Sequence, residues 1–190
     1  TVIQLDLNDP KMLAKVDALL EKEDIRRDAC LDYLCGIFAE DRLVAVGGSY
    51  ACTLRCMAVD SEFQGSGLLD KIVSHLCEHL AEQGHFHLFV YTKPKNYAFF
   101  SGLGFHTIAI VKDAIFMENR EDELVQSCYN LKAQQRPDKS SAIVMNANPF
   151  TLGHKYLIEC AAKSSDTVHL FLLSEDAGPI PFEVRKQLVV

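Results

Sequence analysis

The chain has 190 residues, 48% of them hydrophobic and 24% charged, with a formal net charge of -7 at pH 7. That length admits one or two domains with an ordinary globular core and no compositional bias toward disorder. The acidic balance, unbroken by any Lys/Arg run, excludes a general nucleic-acid partner, whereas a small anion such as ATP stays admissible because backbone N–H groups act at short range.

Along the chain, Val2, Ile3, Leu5 and Leu7 predict a short strand. Asn8-Asp9-Pro10 then predicts a helix start, and Met12, Leu13, Val16, Leu19 and Leu20 recur at helical spacing. A second helical stretch is expected through Leu31 and Leu34. Residues 36–39 and 43–50 read as a hairpin around Glu40-Asp41-Arg42, and residues 53–59 as a further strand. A polar, glycine-rich break over 60–67 leads into Leu68, Leu69, Ile72, Val73, Leu76 and Leu80, the apolar stripe of a helix that Gly84 stops. Residues 87–91 read as a strand, 96–103 as a short helix closed by Gly104, and 106–117 as two short strands. Residues 121–135 are helix-compatible, and Arg136-Pro137-Asp138-Lys139-Ser140 reads as an inter-domain linker.

After the linker come a strand at 142–145, a loop, a helix at 152–162 and a strand at 167–173, the opening of a βαβ unit. Roughly 50 residues are few for a doubly wound domain, which usually needs on the order of 100, so this second domain is expected to be incomplete. The seven cysteines (Cys30, Cys35, Cys52, Cys56, Cys77, Cys128, Cys160) lack C-x-x-C spacing and read as reduced thiols. The alternating N-terminus has no signal-peptide pattern, and no apolar run nears the roughly 18 residues of a membrane span. A cytoplasmic location without membrane contact is expected.

Two constellations carry chemistry. In the first, Val59 ends a strand and Gln64-Gly65-Ser66-Gly67-Leu68 turns into a helix, where unpaired N–H groups and the helix dipole favour a pyrophosphate. This resembles motif A of the GNAT acyltransferases, although Leu69 occupies a position the family keeps small. Asn96-Tyr97-Ala98-Phe99-Phe100-Ser101-Gly102-Leu103-Gly104-Phe105 resembles motif B of the same family. The resemblance implies a GNAT-like mixed α/β sheet with flanking helices over residues 1–118. It also implies a CoA-like ligand held by Val59, Gln64, Gly65, Ser66, Gly67, Leu68, Asn96 and Phe100. Phe100 stands where that family commonly has a tyrosine acid, and a phenyl ring cannot protonate a departing thiolate. Glu62 is the candidate carboxylate base.

In the second, Asn146-Ala147-Asn148-Pro149-Phe150-Thr151-Leu152-Gly153-His154 follows the apolar strand Ala142-Ile143-Val144-Met145 and opens a helix. Thr151 and His154 share the first helical turn, so their polar atoms can converge on one phosphate, with Gly153 leaving room for a nucleotide. Adenylyl transfer builds charge on the α-phosphate and the leaving pyrophosphate, which calls for such donors. The pattern resembles the H/T-x-G-H signature of the nucleotidylyltransferases, and a Rossmann-like domain is expected over 141–190, after a helical connection at 119–140. The longer string through Lys155-Tyr156-Leu157-Ile158-Glu159, with Ser174-Glu175-Asp176 and Pro181-Phe182-Glu183-Val184-Arg185 downstream, resembles the citrate lyase ligase family.

That resemblance implies an enzyme that uses ATP with Mg2+ to convert acetate to acetyl-adenylate, then acetylates the prosthetic-group thiol of the citrate lyase acyl carrier subunit. His154 and Thr151 would be catalytic, with Asn146, Asn148, Phe150, Gly153, Lys155 and Arg185 on the nucleotide, Arg185 meeting a phosphate or the substrate carboxylate. The superfamily's Ser/Thr-rich, Arg-containing phosphate motif would lie beyond Val190. Two alternatives stand beside this: a GNAT N-acetyltransferase acting on an amine, and a non-catalytic docking module for a CoA-like prosthetic group. His75 and His79 lie one helical turn apart without a third ligand, so no metal site is expected; His85, His87, His169 and Cys160 read as ordinary structure.

Overall fold

Seven strands between Ile3 and Glu118 form one sheet in the computed structural model, which describes residues 1–121, 123–132, 138–174 and 178–189. The strands are β1 (Ile3–Gln4), β2 (Tyr33–Ala39), β3 (Arg42–Tyr50), β4 (Thr53–Val59), β5 (Phe89–Thr92), β6 (His106–Ile110) and β7 (Ile115–Glu118), in the order β1-β2-β3-β4-β5-β7-β6. Within it only β4 and β5 are parallel neighbours. This unit comprises Thr1–Val125, and a second unit comprises Gln126–Val190.

Helix α1 (Pro10–Lys22) starts at Asp9, whose side chain accepts the Lys11 N–H, with proline in the first turn where its missing N–H costs nothing. It buries Val16, Leu19 and Leu20 against Leu34, Leu43, Val46 and Ala58. Helix α2 (Leu68–Glu82) buries Ile72, Val73, Leu76 and Leu80 in a second cluster with Cys35, Ile37, Val44, Ala45, Leu54 and Val90. Alternate residues of β2 thus feed opposite faces of the sheet, giving a helix–sheet–helix sandwich.

The second helical stretch expected through Leu31 and Leu34 does not form. Asp24 leaves α1 with φ 55°, residues 25–32 run irregularly, and Leu34 lies in β2. Residues 33–37 are all buried, because helices cover both faces of this strand. Burial on both faces removes the polar alternation that distinguishes a strand from a helix, so leucine spacing misleads there. The first strand is likewise short, although Leu5 N–H still donates to Leu34 O.

β4 and β5 pair at Thr53 with Phe89 and at Leu54 with Val90, and no further along. Cys56 of β4 takes φ 53°, and the β3–β4 register shifts between Val46 and Gly48, a bulge that bends β4. The two strands therefore part toward their C-terminal ends. Helix α3 (Tyr97–Gly102) follows β5, and Gly104 at φ 84° turns the chain back. Helix α4 (Glu123–Lys132) comes after β7; Arg136 and Pro137 of the expected linker lie outside the described residues.

In the second unit, β8 (Ser140–Met145) and β9 (Thr167–Leu172) pair in parallel and α5 (Leu152–Ser164) crosses between them. Ile143, Met145 and Ala147 form its buried cluster, with Phe150, Ile158, Ala161, Val168, Leu172 and Val189 packed against it. Helix α6 (Phe182–Val189) follows. Among the described residues no helix is long and apolar enough to cross a membrane.

Candidate functional site

The parting of β4 from β5 opens a groove of about 490 Å3 at the start of α2. Val59, Gln64, Gly65, Gly67, Leu68 and Asn96, all sequence candidates, line it together with Met57, Phe63, Phe99 and Lys95. Gly65 (φ 80°) and Gly67 (φ 74°) hold left-handed conformations that a side chain would strain. Gly67 caps α2, so the first N–H groups of that helix stay unpaired at the loop.

Two candidates are placed differently from expectation. Ser66 does not line the groove; its hydroxyl donates to Phe63 O and tightens the turn. Phe100 is 0% exposed in the core, edge-on to Phe99 and Phe105, so the expected ligand contact by Phe100 is corrected. Its neighbour Phe99 faces the groove instead, one helical step of about 100° away. Adjacent phenylalanines carry no sequence signal of which one faces inward.

The groove's charge is mixed. Lys95 is its cation, while Glu23 and Asp70 bring carboxylates, and Gln64 Nε2 donates to Glu23 Oε2 at 3.3 Å. Below the loop, Asp60 is a buried node that sequence reasoning missed. It binds Lys22 at 2.8 Å, pairs with Arg42 and accepts the Glu62 N–H, which fixes the turn out of β4. The Lys22 ammonium, with the Glu62 N–H and the Arg42 guanidinium, holds the Asp60 carboxyl well below the usual carboxylate range. Glu62, the candidate base, is taken up by Arg42 at 2.7 Å.

Three of the discounted histidines have structural partners. His75 Nε2 meets the Tyr33 hydroxyl at 2.8 Å, His79 stacks on the Tyr33 ring at 3.7 Å, and His87 sits between Glu118 and Glu123 at 2.7 and 3.3 Å.

In the second unit, the chain leaves β8 through Asn146 and enters α5 at Thr151. Thr151 has extended backbone at the N-cap, and His154 stands at the third helical position in a reciprocal capping arrangement. Thr151 N–H donates to His154 Nδ1 at 3.1 Å, and the Thr151 hydroxyl lies 2.8 Å from the same nitrogen. The Phe150 ring stacks against the imidazole at 5.8 Å. Because Nδ1 accepts the backbone N–H, the neutral ring carries its proton on Nε2 and offers it as a donor. A Cβ at Gly153 would stand in ordinary contact with the Thr151 hydroxyl, at 3.6 Å. Lys155 lies on the same turn, 3.9 Å from Glu159.

Asn146 and Asn148 act on the protein itself. Asn148 Oδ1 accepts the Ile180 N–H at 3.1 Å, and Gly178 presses so closely that a Cβ there would sit 1.8 Å from Asn148 Nδ2. Arg185 was expected to meet a phosphate or the substrate carboxylate; it is instead 0% exposed. Its Nη1 donates to Asn146 O, Asn146 Oδ1 and Leu173 O at 2.7, 2.9 and 2.8 Å, and its Nε to Ile180 O at 3.0 Å. The direct phosphate contact is therefore corrected, since strand-end carbonyls claim this guanidinium. Glu175 and Asp176 lie outside the described residues.

Residues 140–190 match the model of the citrate lyase ligase C-terminal domain. The chain is 40% identical over 191 residues to the citrate (pro-3S)-lyase ligase of Klebsiella pneumoniae, a match covering 98% of this chain and 55% of that protein. It is 35% identical over 182 residues to the enzyme of the same name from Escherichia coli (strain K12), covering 95% of this chain and 52% of that one. The chain thus spans about half the length of the curated relatives it matches. A crystal structure of aminoglycoside 6'-N-acetyltransferase complexed with coenzyme A superposes with a TM-score of 0.52 at 15% identity, covering 62% of this chain and 95% of that one. A GNAT-family acetyltransferase structure from Desulfovibrio desulfuricans gives 0.51 at 17%, covering 62% and 98%. Along nearly all of its residues, then, this chain is a relative of the citrate (pro-3S)-lyase ligases, and its N-terminal sheet has the GNAT fold.

Proposed function

We propose that the protein is an ATP-dependent ligase that activates acetate and delivers acetyl to the prosthetic-group thiol of the citrate lyase acyl carrier subunit. The observation that carries this reading is the Thr151–His154 pair at the start of α5, directly after a parallel strand. An acetate oxygen attacks the α-phosphorus of ATP, the bond to the β-phosphate breaks, and pyrophosphate leaves; bound Mg2+ would supply positive charge to the departing phosphates. His154 Nε2–H and the open N–H groups of the first turn donate to the phosphate oxygens as charge builds. Lys155 adds a cation, and Asn146, Asn148, Phe150 and Gly153 shape the nucleotide side. The carrier thiolate then attacks the acetyl carbonyl, and AMP departs with the C–O bond electrons.

A second element of the proposal concerns the groove at Gln64–Gly67, which we assign to the CoA-like arm that carries this thiol. Phe100 is buried and offers no acid for a departing thiolate, and among the described residues the lining holds no hydroxyl, thiol or imidazole in its place, which supports binding over amine acetylation. The related fold in complex with coenzyme A, aminoglycoside 6'-N-acetyltransferase, supports that choice of ligand class. On this reading residues 1–118 form the arm-binding domain, 119–140 the connection and 141–190 the start of the nucleotide domain, and the enzyme works in the cytoplasm.

Acetate-dependent ATP–pyrophosphate exchange by the protein in its full length tests the ligase, with His154→Ala expected to abolish it. Absence of exchange in the unaltered protein, or full exchange in the variant, would sink the proposal. Turnover of acetyl-CoA with amine acceptors would favour the acetyltransferase instead.

A further inference from the structure

We infer that Arg185 is a positioning residue: buried behind the nucleotide loop, it ties the ends of β8 and β9 to α6 and so sets where Thr151 and His154 stand. The inference rests on the ligase reading of that loop. Asn146 is the first residue after β8 and Leu173 the first after β9. The same guanidinium nitrogen donates to the carbonyls of both, at 2.7 and 2.8 Å, and takes Asn146 Oδ1 at 2.9 Å. Its Nε holds Ile180 O, while the N–H of Ile180 holds Asn148 Oδ1. The loop is therefore gripped at two points, Asn146 by the guanidinium and Asn148 by the segment that the guanidinium also fixes.

A cation with no solvent exposure is expensive to bury, and a well-packed apolar side chain there is commonly as stable or more so. What an apolar residue lacks is the ability to bring several carbonyl oxygens to one point. Those oxygens lie at the C-terminal ends of two parallel strands, where their dipoles would otherwise repel one another and a nearby phosphate. Gathering them on Arg185 turns them inward and leaves the loop's N–H groups for the ligand. Gly178 fits the same design, because a side chain there would displace Asn148.

A direct phosphate ligand and a positioning residue differ in kinetics. Loss of a ground-state phosphate contact raises KM for ATP, whereas misplacing His154 lowers kcat. A displacement of 1 Å at reacting groups costs about 10²-fold in rate. In the full-length protein, Arg185→Met is expected to lower kcat for exchange about 100-fold while KM for ATP stays within about twofold. Arg185→Lys, which still reaches one or two carbonyls, is expected to recover part of that loss.

Imidazole 1H–15N spectra provide a readout independent of turnover. The Nδ1 resonance of His154 that reports the Thr151 hydrogen bond should shift in Arg185→Met and return toward its place in Arg185→Lys. Should Arg185→Met fail to fold, Asn146→Ala removes one acceptor and is expected to move the same resonance. A raised KM with unchanged kcat, or a His154 resonance untouched in every folded variant, overturns the inference. If the unaltered protein shows no exchange, the ligase reading fails, and the spectra still decide whether Arg185 positions His154.

Discussion

Replacing Gly47 with alanine tests whether the groove depends on how closely α2 lies on the sheet. A Cβ at Gly47 would fall 2.4 Å from Ile72 Cγ2, 3.1 Å from Leu76 Cδ1 and 3.4 Å from Met57 Cγ. Ordinary carbon–carbon contact is about 3.5–4.0 Å, so α2 or the strand must yield by roughly 1 Å or more. Ile72 cannot swing aside, since it is 0% exposed and a β-branched side chain in a helix has essentially one χ1 rotamer. Overpacking of this kind costs about 1–3 kcal/mol, of which the lower entropy of an unfolded alanine returns roughly 0.4–1 kcal/mol. The expected net loss is about 1–2 kcal/mol, read as a lower urea midpoint at unchanged slope. Because Met57, Leu68 and Leu69 line the groove, affinity for CoA, measured by calorimetry, should fall with it. The decisive assay is a double-mutant cycle with Ile72→Ala, which removes the clashing methyl: the pair should destabilise less than the sum of the two single changes. Strict additivity, or a Gly47→Ala protein as stable as the original, would refute the close-packing argument.

Three other outcomes are expected. Thr151→Ser keeps the hydroxyl beside His154 Nδ1 and should retain most exchange activity, whereas Thr151→Val should lose about five- to tenfold, the worth of one hydrogen bond of roughly 1 kcal/mol. Asp60 has a depressed folded-state pKa, so the stability it contributes is complete above the unfolded value near pH 4 and drains as pH falls through the folded one; acid titration of Asp60→Asn followed by circular dichroism should show a flatter acid limb than the original protein. Burial pushes the Cys35 thiol up to about 12, so an aromatic disulfide reagent at neutral pH should label exposed Cys30 and Cys128 first and reach Cys35 only on unfolding; mass-spectrometric mapping that finds Cys35 modified early would contradict its burial.

The legible parts of this protein are those whose cause is local in the chain. Gly65 and Gly67 at positive φ, the Asp9-Pro10 helix start, the alternation of apolar strand, loop and amphipathic helix over β8 and α5, and the Thr151-x-x-His154 cap all arise within a few residues, so they can be read from the order of amino acids. The rest depended on what distant segments bring alongside. Leu34 is a strand residue because α1 and α2 cover both faces of β2, and Phe99 rather than Phe100 meets the groove because the core claims the latter. Asp60 becomes a node only when Lys22 and Arg42, far from it in sequence, arrive at the same point. Arg185 shows the division most clearly. Its charge suggests a phosphate ligand to anyone reading residues 181–185, yet the parallel pairing of β8 with β9 presents strand-end carbonyls that take the guanidinium first. Residue type sets which hydrogen bonds a side chain is able to make, and only the packed fold decides which partners lie within about 3 Å of it.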